Sequence, residues 1–381
     1  MKLQEIKKEA SLTTHLFSNA SKKKIPLSGT FELSPVCNFS CEMCYVRKST
    51  QEVKSHLRPM MSKEQWIQIA NEAKEQGMLY LLLTGGEPLL WPDFWELYEK
   101  LVRMGFVISI NTNGSLIDNQ AVEQLKKNVP SRINITLYGA NDETYEKLCG
   151  VKNGFHKVDN AITKLKEAGI AVKLNCSLTP KNAKDLEAMI HYAESKELVL
   201  SINTYMFPPL RRDLESCGYN CGRFTPQEAA KYDLQRIRLQ FGASNYERFL
   251  RNIHKASIFP PGLESCVDQK DGKIQCRAGN ASFWITWDGL VTPCGMMPKP
   301  EVDLTGRSFR QVWQELVDIS QKLELSGVCK KCQNRELCHS CAAMALAETG
   351  DTAGIPKYLC EMVEELRKYA KKICETNSKK K

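Results

Sequence analysis

The stretch MLYLLLTGGEPLL, residues 78–90, largely determines the predicted fold. Its first half is a nearly continuous apolar run, which is typical of a strand that is buried on both faces of a parallel sheet. Before it, SKEQWIQIANEAKEQG (62–77) predicts a helix, because Ser62 and Gln65 can form a capping box and apolar residues recur at helical spacing. After it, PDFWELYEKLVRMG (92–105) predicts a second helix. The stretch is therefore a predicted strand between two helices.

The same alternation of strand and helix occurs six times between residues 29 and 206. Short connections between the units favour parallel strands with right-handed crossovers. The predicted fold is therefore α/β, a partial (β/α)6 TIM-like barrel whose active residues gather at the carboxyl ends of the strands. A doubly wound open sheet is the alternative. The other five predicted strands are TFELS (30–34), FVISINTNG (106–114), RINITLYG (132–139), AVKLNCSLTP (171–180) and LVLSINTYMF (198–207).

Composition is that of an ordinary soluble globular protein, with 25% charged and 42% hydrophobic residues among 381. MKLQEIKKEASLTTHLF (1–17) has no apolar signal region, and no run of about 18 apolar residues occurs, so we expect a cytoplasmic protein without a membrane partner. The net charge of +9 could favour an anionic partner, but much of it lies in SKKK (21–24) and NSKKK (377–381), and such runs are usually solvated tails. Because the sequence has no nucleic-acid-binding motif, we do not expect a nucleic-acid partner. In a reducing compartment, the 16 cysteines indicate metal ligands rather than disulfides.

Three cysteines follow the first predicted strand in a C-x3-C-x2-C pattern, Cys37, Cys41 and Cys44. Structural zinc takes four ligands and disulfides take pairs, so three thiols suit neither. A [4Fe–4S] cluster has four irons, and three thiolates leave the fourth iron open to a substrate or cofactor. The alternatives are a zinc site with a distant fourth ligand, or unrelated buried cysteines.

The turn after the second predicted strand runs from Thr84 through Gly85, Gly86 and Glu87 to Pro88. Two glycines allow the backbone to approach a ligand closely, and Glu87 can accept hydrogen bonds from an ammonium group. Alone, this sequence also fits a plain turn. After a strand that itself follows a three-cysteine loop, it indicates a cofactor site.

These motifs together resemble the radical S-adenosylmethionine (SAM) superfamily over residues 29–206. The resemblance implies a [4Fe–4S] cluster on the three cysteines, with SAM on its open iron. Reductive cleavage of SAM would then give a 5′-deoxyadenosyl radical, with flavodoxin or ferredoxin as the reductant. Met43 stands where the family packs a hydrophobic residue on adenine, and Lys147 stands where relatives often place an arginine. The cofactor-binding residues expected from the family's motifs and from their positions near strand ends are Met43, Thr84, Gly85, Gly86, Glu87, Pro88, Asn113, Thr136 and Asn175.

A second set of cysteines occupies the C-terminal part of the chain, with Gly289 placed four residues before one of them. Taken alone, its close pairs fit two structural zinc sites. Attached to a radical SAM barrel, it resembles the SPASM extension of peptide-modifying enzymes, with two residues rather than three between Cys338 and Cys341. The resemblance implies two auxiliary [4Fe–4S] clusters, and so three clusters per chain. The first would use Cys276, Cys294 and Cys341 with Cys266 as a possible fourth ligand, and the second Cys329, Cys332, Cys338 and Cys360.

Five regions are expected along the chain: an N-terminal extension (1–28), the barrel (29–210), a bridging helical region (211–259), the SPASM module (260–365) and a basic tail (366–381). Among the remaining cysteines, we interpret Cys149 and Cys176 as core residues. Cys217 and Cys221 follow the last strand of the barrel, where a thiol could donate a hydrogen atom to a substrate radical or ligate a cluster.

The leading functional hypothesis is a peptide maturase that crosslinks, forms a thioether in, or epimerises a ribosomally synthesised peptide or protein. One alternative is a sulfatase-maturating, formylglycine-generating enzyme, but Gly295 stands where that subfamily has an aspartate. A second is a small-molecule radical dehydrogenase. A non-enzymatic iron–sulfur electron carrier is the third, although it would have no use for a SAM-binding turn.

Overall fold

The computed structural model describes residues 3–208, 222–255, 276–335 and 337–378. Six parallel strands form the barrel sheet and follow one another in chain order across it. A doubly wound sheet reverses its strand order, so this consecutive order identifies a partial barrel and confirms the predicted fold. The strands are β1 (Ser28–Glu32), β2 (Tyr80–Thr84), β3 (Val107–Thr112), β4 (Arg132–Thr136), β5 (Val172–Ser177) and β6 (Leu200–Asn203).

Helices cover the outer face of this sheet. The helix after β1 begins at Ser62, where the predicted capping box with Gln65 is present, and its apolar stripe is buried. The ring of Trp66 from that stripe stacks on Phe31 of β1 with 4.7 Å between centroids. The helices of this half are α1 (Leu3–Lys23), α2 (Thr50–Lys54), α3 (Lys63–Glu75), α4 (Phe94–Arg103), α5 (Asn119–Lys127), α6 (Asp142–Cys149), α7 (Gly154–Glu167) and α8 (Leu186–Ser195).

The inner face of the sheet is polar. The strand register aligns five polar residues in one row across β1 to β5, and Asn134 Nδ2 donates to Asn111 Oδ1 over 2.8 Å within that row. Leu82 of β2 also faces inward and is only half-buried, so the expectation that β2 is buried on both faces holds for its outer face and, on the inner face, for Thr84. An inner face of this kind leaves room for a polar ligand. The row is Glu32, Thr84, Asn111, Asn134 and Lys173.

The C-terminal part extends the same sheet, which the sequence did not lead us to expect. Strand β7 (Ser282–Ile285) pairs parallel to β1, and β8 (Leu290–Thr292) and β9 (Val302–Asp303) continue from it in antiparallel fashion. Helix α9 (Pro226–Lys255) has a kink at Gly242, where φ is 74°. The remaining helices are α10 (Phe309–Ser320), α11 (Gly327–Lys330), α12 (Ala342–Thr349) and α13 (Lys357–Ser378).

The chain ends differ from the predicted extension and tail. Helix α13 runs through residue 366, and Leu366 and Ala370 are 7% and 0% exposed, because an apolar stripe of this helix packs on the core. The predicted tail therefore begins within a packed helix, which extends to Ser378. In α1, Phe17 and Ala20 are likewise buried. Within the described ranges, we find no helix whose length and hydropathy would allow it to cross a membrane.

Candidate active site

The three-cysteine loop lies at the carboxyl end of β1 and is held by the last turn of α6. Ser40 N donates to Cys149 O over 2.7 Å, and Glu42 N donates to Leu148 O over 3.2 Å. Burial raises the pKa of the Cys37 thiol to about 12, and repulsion from Glu87 and from the thiolates of Cys44 and Cys41 adds to this effect. The fold therefore brings the three predicted ligands together, and thiolates are the donors that iron–sulfur clusters take.

Asn113, which follows β3, contacts this loop directly. Its Nδ2 donates to Asn38 Oδ1 over 2.8 Å and lies 3.7 Å from Cys37 Sγ, to which it donates a sulfur hydrogen bond. Asn38 in turn donates to Ser115 Oγ over 2.8 Å. Asn113 was predicted as a cofactor-binding residue from its place near a strand end. The structure places it beside a candidate iron ligand.

Glu87 is fully buried and its carboxylate is engaged by protein donors. It accepts from Thr112 Oγ1 and from Asn113 N, each over 2.8 Å, and from Leu89 N over 3.2 Å. Burial raises the pKa of Glu87 from 4.5 to about 7, against the lowering effect of these three hydrogen bonds. The carboxylate thus fixes the backbone of Asn113, a role that the sequence did not reveal.

Gly85 and Gly86 are required by contact with the segment that leads into the cysteine loop. A Cβ on Gly85 would lie 2.4 Å from Ser34 O, and one on Gly86 would lie 2.4 Å from Val36 O. Gly86 N donates to Ser34 O over 2.7 Å. The close approach expected from these glycines is therefore made to protein backbone, and it fastens the turn after β2 to the start of the cysteine loop. Buried Pro88 begins the short 3-10 turn after Glu87.

The other candidate SAM-binding residues lie at the same edge of the sheet. Thr136 and Asn175 are partners in the register of β4 and β5, and both are half-buried. Thr84 ends β2, and its carbonyl accepts from Leu33 N over 2.9 Å. Met43 is half-buried and packs against the core. The side chain of Lys147 is 63% exposed and pairs with a glutamate of α6, so it points to solvent.

Two residues near the cysteine loop were missed as site residues. The side chain of Cys149, which is 0% exposed, is the largest cause of the raised pKa of the Cys41 thiol, and burial of Cys41 adds to it. Burial raises the pKa of Tyr138, and repulsion from the thiolates of Cys41 and Cys149 adds to it. Only tertiary packing brings Cys149 here. Tyr138 had one usable signal, because it follows the same strand end as Thr136.

The C-terminal thiols form two separate groups. Burial raises the pKa of Cys294 to about 12, and repulsion from the thiolates of Cys341 and Cys276 adds to it. The pKa of Cys360 is raised by burial and then by the thiolates of three other cysteines. These are the same two sets that the resemblance to SPASM proteins implies. The second set consists of Cys329, Cys332, Cys338 and Cys360.

Three predicted site residues, Cys217, Cys221 and Cys266, lie outside the described residues. Over the part of the chain that the structure describes, no three His, Cys, Asp or Glu side chains form a group that could hold one metal ion between them. We therefore assign each thiol to a group by the effect that the neighbouring thiolates have on its pKa.

A buried ion pair joins the segment just before α9 to the C-terminal part. Arg223 Nη1 lies 2.7 Å from Glu348 Oε1, and the two side chains are 11% and 8% exposed. Tyr205, which follows β6, donates to the same oxygen over 2.9 Å. The Arg223 guanidinium also lies 4.2 Å from the ring centroid of Tyr358. Glu348 is on α12, which begins after Cys341. These contacts therefore link the first C-terminal thiol group to the segment before α9 through Arg223, and to the barrel through Tyr205.

Comparison with known proteins places the barrel in a family. Residues 31–193 match the radical SAM superfamily. The AdoMet-dependent heme synthase of Methanosarcina barkeri is 26% identical over 330 residues, which cover 84% of this chain and 92% of the relative. The sporulation killing factor maturation protein SkfB of Bacillus subtilis is 24% identical over 318 residues, 81% of this chain and 69% of the relative.

A solved structure shares the fold over nearly the whole chain. Native anSMEcpe with bound AdoMet and Cp18Cys peptide has a TM-score of 0.64 and 20% sequence identity, and the match covers 93% of this chain and all of that one. Radical SAM enzymes use S-adenosylmethionine and a [4Fe–4S] cluster, and the three-thiol loop offers a cluster the donors it needs. Residues 31–193 therefore form a radical SAM domain within this chain.

Proposed function

We propose that this enzyme cleaves SAM reductively and uses the resulting 5′-deoxyadenosyl radical to modify a ribosomally synthesised peptide or protein. The modification is a carbon crosslink, a thioether or an epimerised residue. The main support for a peptide substrate is the pair of thiol groups between Cys276 and Cys360, which resembles the SPASM pattern of peptide-modifying enzymes. The relation to SkfB, by name a maturation protein of a sporulation killing factor, supports the same substrate class.

Cys37, Cys41 and Cys44 hold the cluster that engages SAM in this proposal. That cluster, when bound, supplies the electron for cleavage of the sulfonium bond. Asn113 donates a hydrogen bond to Cys37 Sγ, and Glu87 keeps Asn113 in place through its backbone amide. The turn after β2 is buried and is hydrogen-bonded to the start of the cysteine loop, so it excludes water from one side of the site.

Residues at the strand ends would hold SAM. We assign its adenine to Met43, its amino group to the turn of residues 84–88, and its ribose and carboxylate to Thr136 and Asn175. All of these lie at the carboxyl edge of the sheet, where parallel barrels bind their ligands. The polar inner face below them, which includes Asn111 and Asn134, leaves space for the substrate.

We propose three clusters per chain, two of them in the C-terminal module (260–365), with Cys266 as a possible further ligand. These clusters, when bound, would accept the electron that an oxidative crosslink releases. For an epimerisation, Cys217 or Cys221 is the proposed hydrogen donor. A flavodoxin or ferredoxin supplies the reducing electron.

The sulfatase-maturating alternative is disfavoured by packing at Gly295. A Cβ at this position would lie 2.7 Å from the ring of Trp284, so the aspartate of that subfamily has no room here. Trp284 is itself held by Glu32, whose carboxylate accepts from its Nε1 over 2.9 Å. Nothing in the site favours a small-molecule dehydrogenase.

A tetrapyrrole is the second candidate substrate. Its support is the heme synthase of Methanosarcina barkeri, of which 92% is covered by the match to this chain. For SkfB the corresponding figure is 69%. The larger share of the heme synthase that is matched thus favours a tetrapyrrole substrate, whereas the pattern of the C-terminal cysteines favours a peptide substrate.

One experiment separates the two. The anaerobically reconstituted enzyme is incubated with SAM, dithionite and either peptides encoded beside its gene or an iron-containing tetrapyrrole. We expect 5′-deoxyadenosine formation to rise with a peptide, and that peptide to change in mass. If only the tetrapyrrole stimulates cleavage and changes in mass, the peptide proposal is wrong. If 5′-deoxyadenosine forms under none of these conditions, the SAM-cleavage proposal is wrong as well.

A further inference from the structure

A cavity of about 540 Å³ lies between β6, α9, α13 and the loop that contains Cys338. Its size is within the range of about 300–1,000 Å³ that is usual for ligand sites. It is far larger than the dry apolar cavities of about 150 Å³ that proteins can leave empty. Its walls are mainly apolar side chains, among them Ile202, Ile237, Phe249, Leu359, Met362 and Val363.

The cavity borders the free edge of the barrel sheet. Strand β6 is the last strand in the described sheet order and pairs only with β5. The carbonyls of Val199 and Asn203 accept from β5, so the backbone groups of the alternate residues point the other way. Leu200 O is one of these, and it accepts from Gln240 Nε2 of α9 over 2.8 Å. By the same alternation, the N–H and C=O of Ile202 point away from β5, and Ile202 lines the cavity.

Charged and aromatic groups surround the cavity. Asp233 and Arg236 both line it and form an ion pair of 2.7 Å. Arg248 also lines it and is exposed, so the lining has one positive charge in excess. Phe241, 56% exposed beside the kink at Gly242, presents an aromatic ring to the same space. The cavity therefore suits an apolar group with an acidic neighbour.

Its position relates it to the catalytic end of the barrel. Asn203, Thr204 and Tyr205, at the carboxyl end of β6, form part of its wall. The cysteine loop and the turn after β2 lie at the same end of their strands, where barrel enzymes bind their substrates. A chain lying along this end could occupy the cavity with one residue while another residue is at the reacting centre.

We propose that this cavity binds an apolar side chain of the substrate peptide, at a residue remote from the one that is modified. The peptide adds an extended segment to the free edge of β6 through the backbone of Ile202, as edge strands commonly bind peptides. An acidic residue next to the bound side chain contacts Arg248. The inference rests on the proposed peptide substrate, and it adds where and how that peptide is held.

The first test uses anilinonaphthalene sulfonate, an apolar aromatic anion, titrated calorimetrically into the reconstituted enzyme. We expect one saturable site. Ile237→Trp and Val363→Phe, which fill the cavity from two different helices, should each weaken binding at least about ten-fold. Arg248→Glu should weaken it about five-fold. Arg238→Glu, at an exposed arginine of α9 outside the lining, is the matched control and should leave binding unchanged.

The second test asks whether a peptide displaces this probe. We expect the acetylated tetrapeptide amide Gly-Phe-Glu-Gly to compete with the probe. Gly-Ser-Glu-Gly, which lacks the apolar side chain, should compete at least about ten-fold more weakly. The same should hold for Gly-Phe-Glu-Gly with its Phe nitrogen methylated, because that peptide lacks a backbone donor. SAM cleavage without substrate, measured in each variant, shows that the variant is folded and that its radical site is intact.

Absence of a saturable site in the wild type, or equal binding by folded, cavity-filled variants, would overturn the site. A saturable site from which no peptide displaces the probe would overturn the peptide occupant. Neither result affects the proposed function, which fails separately if no peptide is modified.

Discussion

The thiols at the head of the barrel and those of the C-terminal part are held in different ways. Around Cys37, the contacts come from several strand ends: Asn113 after β3, the glycine turn after β2, and the last turn of α6. The C-terminal thiols sit in short local elements instead. Cys329 lies in α11, a helix of four residues, and Cys341 directly precedes α12.

This difference indicates that the two regions have different functions. A cluster that must orient SAM needs surroundings fixed by the whole barrel, since a small displacement of the reacting groups is costly in rate. Clusters that only exchange electrons need thiolates and a stable module, which short helices and turns can supply. The two regions should therefore be separable by mutation, with the barrel region controlling SAM cleavage and the C-terminal region controlling the later electron transfer from the substrate.

The largest expected effect comes from removing either thiol group. Replacing Cys37, Cys41 and Cys44 together by Ala should abolish 5′-deoxyadenosine formation and remove about four irons from a total of about twelve per chain. Replacing Cys276, Cys294 and Cys341 should also remove about four irons but leave SAM cleavage measurable. Cys374→Ala, at a cysteine outside every predicted cluster, is the control. A wild-type iron content near four, with zinc present, would contradict three clusters.

The connection between the two regions is the next most sensitive feature. Arg223→Met removes one partner of the buried pair with Glu348 and should lower the free energy of unfolding by about 3–5 kcal/mol, because the carboxylate stays buried without its charge partner. Arg223→Met combined with Glu348→Leu should recover much of this loss. Urea unfolding of the four proteins of this cycle measures it. A loss below about 1 kcal/mol in the single variant would mean that the pair does not join the regions.

Glu87 allows a test inside the barrel region through pH. Because its folded pKa is raised from 4.5 to about 7, the folded protein binds this proton more tightly than the unfolded chain does. The associated stability is complete below about pH 4.5 and is lost as pH rises through about 7, and it amounts to roughly 3 kcal/mol.

The matched variant is Glu87→Gln, which keeps an acceptor oxygen without the titration. Between pH 5.5 and 7.5, in the absence of SAM, urea unfolding should show a loss of about 2 kcal/mol in the wild type relative to this variant. Parallel pH curves for the two proteins would show that Glu87 stays ionised in the folded state.

The smallest effect is expected where the segment after the cysteine loop contacts β9. Arg58 binds Asp303 in a bidentate pair of 2.6 and 2.7 Å and holds the pKa of Asp303 well below its usual range. The two side chains are 28% and 44% exposed, so solvent screening limits the contribution. Arg58→Ala should cost about 1 kcal/mol, and Arg103→Ala, at a more exposed pair, about 0.3–0.5 kcal/mol. If thermal unfolding shows that Arg58→Ala and Arg103→Ala lower the stability equally, the contact between Arg58 and Asp303 does not link the two regions.

The sequence predicted the barrel well because its signals are local. Each strand and helix has its own apolar period, and Ser62 with Gln65 marks a helix start directly. The resemblance to SPASM proteins likewise grouped the C-terminal cysteines into the sets that the structure brings together. Strand β7 was missed because its pairing with β1 is a contact between distant segments, which no local pattern encodes.

The candidate site was predicted as a set of residue types rather than as a set of contacts. Glu87 was expected to face a ligand, but its burial against Thr112 and Asn113 depends on where β3 ends relative to β2. The contact between Cys149 and Cys41 has the same origin. The part of α13 from residue 366 onward was predicted as a basic tail, because its many lysines make the apolar stripe difficult to recognise in the sequence. The structure shows that this stripe packs on the core.

The central claim is that only the cluster on Cys37, Cys41 and Cys44 binds SAM. Electron paramagnetic resonance of the two reduced triple-Ala variants, recorded with and without SAM, tests it directly. We predict that SAM changes the spectrum of the variant that lacks Cys276, Cys294 and Cys341, and leaves the spectrum of the variant that lacks the first three cysteines unchanged. A SAM-dependent change in the second variant, or none in the first, would contradict the account.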